Sequence, residues 1–317
     1  MKLKELYKFV IEEGMKEDPR GHASAKNDLK DNKKALDELK ATDKKYFDHE
    51  SLANPYADSR ILNGSGEEQI KTILLGVDME VGEILLADRL NAKGKKIDLV
   101  IAHHPEGRAL AGFSKVMGMQ AEIIANLGVN PVRAEKLLEE RVQRVSRGVS
   151  PVNHTRAVDA AKLLEIPFMC CHTPADNHVA TYLQKLMDKK KPKTIKDIIT
   201  ILMEIPEYQE ASKIGAGPTI INGNLKSLAG KVFIDMTGGT EGSKEIFKNL
   251  SHAGVGTVVG MHFSEDHLKK AKEEKVNMVV AGHISSDTLG LNLLLDKVEK
   301  KNKIKIECCS GFYRIKR

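Results

Sequence analysis

The sequence predicts an α/β protein built from two pseudo-equivalent halves. Each half is a mostly parallel sheet covered by helices, and a helical extension precedes them. Three observations predict this. From residue 71 onward, strand-like and helix-like segments alternate. Several strand-like runs are continuously Val, Ile, Leu or Met, the character of strands buried on both faces. The chain also repeats itself. Residues 97–104, IDLVIAHH, match residues 276–283, VNMVVAGH, position by position, and each run follows a charged stretch ending in lysine.

Residues 1–70 are rich in Lys, Asp and Glu, with helices expected over 2–16 and 26–41; Leu29, Leu36 and Leu39 give the second a sparse apolar face. Asn54-Pro55 and Asn63-Gly64-Ser65-Gly66 break the chain. This region reads as an extension packed on the core or on a neighbouring subunit. The first half spans 71–213. It contains a strand at 71–78, a helix at 80–93, the repeat strand 97–102, a helical insertion (112–127, 131–147, 155–164), the strand 166–171 and helices at 177–189 and 194–212. The second half spans 214–317. Strands at 231–236, 256–261 and 276–281 alternate with helices, and 303–309 closes the chain.

The chain of 317 residues is 30% charged and carries a net charge of +6, from 50 basic and 44 acidic residues. So mild and dispersed an excess makes nucleic acid an unlikely partner. No apolar run approaches the ~18 residues of a membrane span. The N-terminal stretch MKLKELYKFVIEEGMKEDPR has no secretory apolar segment, so the cytoplasm is the expected compartment. The cysteines form two vicinal pairs, Cys170-Cys171 and Cys308-Cys309, without CxxC spacing. They read as reduced thiols, one of each pair in the core.

Candidate chemistry lies where strands end, the place where open α/β sheets bind ligands. His103-His104-Pro105 follows the first repeat strand. Adjacent side chains diverge on an extended chain, so the pair suits two neighbouring cations better than chelation of one. His283 and Asp287 follow the second repeat strand, four residues apart and able to share one helix face. His172 and Asp176 repeat that spacing after the strand 166–171. These six residues suffice for two divalent metal ions with mixed nitrogen and oxygen ligands. Glu106, His172 and His262 are candidates to move protons, although a histidine at a strand end is unremarkable by itself. The turn Thr237-Gly238-Gly239-Thr240 invites a phosphate through backbone amides at a helix N-terminus, with Gly238, Gly239 and Thr240 as the contacts; an ordinary tight turn explains the glycines equally.

The His-His-Pro after a buried strand, the HTPAD segment (172–176) and GHISSD (282–287) resemble the NIF-three-like proteins, also named GTP cyclohydrolase I type 2 homologs. The likeness covers residues 71 to about 190 and 228–317. It implies two metal ions per subunit and a hexameric ring. It further implies His104 and Asp176 on one ion, His103 and His283 on the other, and Asp287 bridging where the family has Glu. The family's early WDNVGL-type segment is absent; NPYADSRIL (54–62) stands near its place. The implied activity is a metal-dependent hydrolase acting on a nucleotide-like substrate, with opening of the purine imidazole ring of GTP as the specific case. The metal is zinc, iron, manganese or nickel. The alternative is a non-catalytic metal-binding scaffold or protein-interaction factor.

Overall fold

The computed structural model describes all 317 residues. Nine strands form two sheets. They are β1 (Ile61–Asn63), β2 (Thr72–Gly76), β3 (Leu99–Ala102), β4 (Phe168–Cys170), β5 (Thr219–Asn222), β6 (Lys231–Asp235), β7 (Val255–Gly260), β8 (Asn277–Val280) and β9 (Lys305–Cys308). The first sheet has the order β1-β4-β3-β2-β9 and the second β5-β8-β7-β6. In each, all pairings are parallel except that of the short edge strand, β1 or β5, which runs antiparallel. No helix is long and apolar enough to cross a membrane.

The topology changes the register of the internal repeat. Both sheets run edge strand, third, second and first parallel strand, so β4 matches β8 and β3 matches β7. The 97–104 run therefore corresponds to the segment ending at His262, and the structural counterpart of HISSD is HTPAD. The apolar-then-histidine pattern is shared by β3, β4, β7 and β8, and so aligned the wrong pair.

Side-chain alternation puts apolar groups on both faces of each sheet. On the outer face of the first sheet, Leu74, Val100 and Phe168 pack under helices Val81–Ala92 and Arg156–Leu163; on that of the second, Phe233, Val258 and Met278 pack under Phe247–His252 and Glu265–Glu273. The inner faces are covered crosswise. Helix Thr173–Lys190 leaves the first sheet but lays Val179, Leu183 and Met187 on the second. Helix His283–Lys301 leaves the second sheet and lays Leu291, Leu294, Leu295 and Val298 on the first. The two helices cross where Gly290 meets Ala175, and a Cβ on Gly290 would collide with the Ala175 carbonyl. Gly290→Leu is expected to destabilise the protein by about 3 kcal/mol or more, because backbone must move to admit it; urea unfolding of the variant measures this.

Residues 1–70 pack on the core, one of the two placements expected of them. Helix Leu3–Lys16 buries Leu3, Leu6, Val10, Ile11 and Met15 in the inner core of the first sheet, beside Tyr56, and β1 belongs to that sheet. The closing strand, expected in the second half, returns to the first sheet, where β9 pairs with β2. Pro206 divides the expected 194–212 helix into Ile195–Met203 and Pro206–Lys213. The helix expected from 177 begins at Thr173, with Pro174 in its first turn, so Asp176 sits in that first turn. Cys170 and Cys171 are both buried, since both faces of the first sheet are covered; Cys308 is exposed.

Candidate metal centre

His103 and His104 continue the β3 ladder, their amides donating to the carbonyls of Gly76 (3.0 Å) and Val77 (2.9 Å). That pairing fixes their backbone. The crossed helices bring in the carboxylates: Asp176 lies in the first turn of its helix, where an N-terminus favours negative charge, and Asp287 lies just past the first turn of the other. Gly282 makes the turn into the second helix at φ +111°, a region open to glycine.

The residues converge on Asp287, which is 1% exposed. One carboxylate oxygen lies 3.4 Å from His103 Nε2. The other lies 3.5 Å from His104 Nε2 and 3.5 Å from His283 Nε2. Asp176 Oδ1 is also 3.4 Å from His103 Nε2. Five imidazoles run in series, His172, His103, His104, His283 and His262, with successive centroids 4.8, 5.4, 5.1 and 4.7 Å apart.

Three of the five rings are oriented from behind. His103 Nδ1 pairs with the Cys171 carbonyl (3.0 Å), His104 Nδ1 with Asp78 (2.6 Å) and His172 Nδ1 with Asp58 (2.9 Å). Thr173 Oγ1 also donates to Asp58 (2.6 Å). A second partner of this kind fixes the tautomer and ring angle of metal-ligating histidines. Toward the centre, His103 Nε2, Asp176 Oδ1 and both oxygens of Asp287 are buried without a hydrogen-bond partner. Buried carboxylate oxygens without donors cost several kcal/mol unless a positive charge sits among them. The 3.4–3.5 Å spacings are long for hydrogen bonds, yet they match ligand atoms sharing one ion, which at bonds of about 2.0–2.2 Å stand about 3.3–3.6 Å apart. Two overlapping sets place their ligand atoms within 4.8 Å of one another: His103, His172 and Asp176, and His103, His104 and Asp287. The donor set therefore fits a divalent cation.

The family resemblance paired Asp176 with His104 and His283 with His103. The distances pair them the other way, because Asp176 leaves β4 beside the buried His103 while His283 lies over the more exposed His104.

Burial opposes a charge on His103, but Asp287 and Asp176 outweigh it and hold its pKa well above 6.5. Burial likewise opposes the Asp287 carboxylate, and His103 outweighs that, holding its pKa far below 3.8. In metal-free protein a proton on His103 thus takes the cation's place. That proton's stabilising contribution is complete below pH 6.5 and is lost as pH rises through the raised folded value; that of Asp287 is present above its ordinary 3.8 and is lost as pH falls toward the depressed one. Chelated protein should therefore lose melting temperature as pH rises above 6.5, and zinc-loaded protein should not. Parallel melting curves with and without chelator would contradict this.

A small polar cavity of about 40 Å³ beside the cluster is lined by Asp176, His172, His283, His262, Gly239 and Thr240, together with Asp235 and Glu241. His172 and His262, two of the residues expected to move protons, both line it. Glu106 does not line it: it precedes the short helix Gly107–Ala111, and its carboxyl, raised to about 7 by burial and by Glu80, is outside the cavity. Gly238 and Thr240 present carbonyls, both accepting from Gln120 Nε2 (2.7 and 2.6 Å), and the next α-helix begins only at Phe247. The turn is held by the insertion and is not a helix-terminus phosphate cradle. Sequence reasoning missed Asp58, although NPYADSRIL had marked its neighbourhood, and Asp78 and Asp235, whose only signal was a carboxylate at a strand end.

No protein-family model matches the chain. A protein of Pyrococcus horikoshii named GTP cyclohydrolase 1 type 2 homolog is 24% identical over 255 residues, which are 80% of this chain and 89% of that protein. The crystal structure of a NIF3 superfamily protein from Sphaerobacter thermophilus superposes with a TM-score of 0.70 at 26% identity, covering 80% of this chain and 91% of that one. Reduced HcgD from Methanocaldococcus jannaschii matches 79% of this chain and 87% of its own at 14% identity, with a TM-score of 0.48. The resemblance carried by the His-His-Pro, HTPAD and GHISSD segments is thus to the NIF3 superfamily, in sequence and in fold alike.

Proposed function

We propose that the chain binds two divalent metal ions bridged by Asp287 and is a metal-dependent hydrolase acting on a nucleotide-like substrate. His103, Asp176 and one oxygen of Asp287, with His172 beside them, would hold one ion. His104, His283 and the other oxygen would hold the second. The observation that carries this is the buried, donor-free carboxylate of Asp287 facing three imidazole nitrogens. Bound divalent cations supply Lewis acidity and an acidified water. Asp58, Asp78 and the Cys171 carbonyl keep the rings aimed. His262, beside Glu241 at 3.8 Å and half-exposed, is positioned to carry a proton between the cavity and solvent.

The name of the Pyrococcus relative supports a GTP-like substrate, and the family resemblance supports a hexameric ring. The test is elemental analysis of the gently purified protein, followed by turnover of nucleotides and phosphoesters by metal-loaded protein and by His104→Ala. Two equivalents of metal and an activity lost in the variant are expected. Metal without any His104-dependent turnover would favour the scaffold reading, and absence of bound metal would overturn both.

A further inference from the structure

The segment Asp235–Met236–Thr237, which lines the histidine cavity, also lines a larger one of about 420 Å³ at the open edge of β6. In the first sheet the matching edge, that of β2, is covered by β9. The second sheet has no such strand. Gln184 stands in for it, accepting from the Ile234 amide (3.0 Å) and donating to the Val232 carbonyl (3.1 Å).

The walls are largely apolar, with Ile124, Phe233, Phe247 and Leu250 among them, and the volume is that of a small-molecule site. Its cations are already neutralised: Lys16 by Glu13 (2.7 Å), Lys185 by Glu17 (3.2 Å) and Arg20 by Asp18 (2.9 Å) and Asp28 (2.8 Å). Both ring nitrogens of His267 are engaged, by Ser264 (2.6 Å) and the Gly242 carbonyl (3.1 Å). No lining cation is left unpaired to hold a phosphate. The buried side-chain atom of the lining that lacks a partner is an acceptor. Gln120 Oε1 is buried and unpartnered, its amide nitrogen being held by the Gly238 and Thr240 carbonyls. Asp235 receives no hydrogen bond from the chain, and burial, with the like charge of Glu241, raises its carboxyl to about 7, so that a ligand N–H would favour its accepting, charged form. Unfilled acceptors among apolar walls select a ligand bearing N–H donors and reject one that lacks them.

We propose that this cavity binds the ring of an uncharged nitrogen heterocycle with N–H donors and presents it, past Asp235–Thr237, to the histidine–aspartate cluster. Only the direction of presentation rests on the hydrolase reading; binding does not require turnover. The probes are benzimidazol-2-one, which has two N–H donors, its 1,3-dimethyl derivative, which has the same ring and none, and inorganic tripolyphosphate. Each is titrated calorimetrically into the full-length metal-loaded protein and soaked into crystals. Benzimidazol-2-one is expected in the cavity, with the dimethyl derivative at least tenfold weaker and tripolyphosphate failing to displace it. Asp235→Leu should weaken benzimidazol-2-one at least tenfold and leave the dimethyl derivative unweakened. Equal affinity of the two rings, density elsewhere, no binding, or displacement by tripolyphosphate would overturn the proposal. Cavity binding in a protein that turns nothing over would leave it standing and remove the hydrolase reading instead.

Discussion

Removing residues 1–18 is expected to abolish folding. The segment looks dispensable, being charged, N-terminal and outside the repeated halves. Yet Leu3, Leu6, Val10, Ile11 and Met15 are each at most 3% exposed. Burial of such side chains contributes about 1.5–3 kcal/mol apiece, so together they contribute roughly 7–15 kcal/mol. Whole domains are stable by about 5–15 kcal/mol. The truncated chain should appear in inclusion bodies or, if soluble, lack a cooperative thermal transition. A truncated protein that melts within a few degrees of the parent would show that the inner face of the first sheet closes without this helix. A milder version, Leu6→Ala, should cost about 2–5 kcal/mol in urea unfolding.

Replacing Asp287 by Ala should remove metal binding. Its two oxygens face His103 on one side and His104 and His283 on the other, so a single substitution strips a ligand from both of the proposed ions and leaves only His103, His172 and Asp176 as an intact set. Second-sphere changes at metal sites typically lower affinity 10–100-fold, and the loss of a shared ligand should exceed about 100-fold. Asp58→Asn, which loosens His172 from behind, should fall in the 10–100-fold range and serves as the graded control. Zinc titration of chelated protein with circular dichroism as the folding check reads both effects. Stoichiometric, tight zinc in folded Asp287→Ala protein would disprove a bridging role for this carboxylate.

Most of the architecture was legible because central parallel strands announce themselves. ILLG, LVIA, VFID and NMVV are apolar on both faces, and each sits between helical stretches. The antiparallel edge strands were not legible: Ile61–Asn63 and Thr219–Asn222 are three and four residues long, only half-buried to exposed, and supply half a pattern at most. Whether the first helix packs on the core or on a neighbouring subunit was left open for a different reason. Its Leu3, Leu6, Val10 and Ile11 keep helical spacing, but lysines and glutamates between them dominate its composition. At the site, the histidines and their partners four residues on were readable because imidazole beside carboxylate at that spacing is unusual. Which nitrogen faces which oxygen was not, because it depends on the crossing of two helices, a tertiary fact without a local signal. Asp58 lay hidden for the same reason: it reaches His172 from 114 residues away.

The exchange of inner helices has a consequence for how this molecule can be taken apart. A cut in the Lys191–Lys193 connection would yield an N-terminal fragment carrying the roof of the other fragment's sheet, and a C-terminal fragment carrying the roof of the first. Neither piece could persist alone in water, but the two should find each other, so co-expressed fragments are expected to reconstitute where singly expressed ones aggregate. Such interlocking also guarantees that the two carboxylates meet only in a fully assembled chain, which makes the cluster a checkpoint of completed folding.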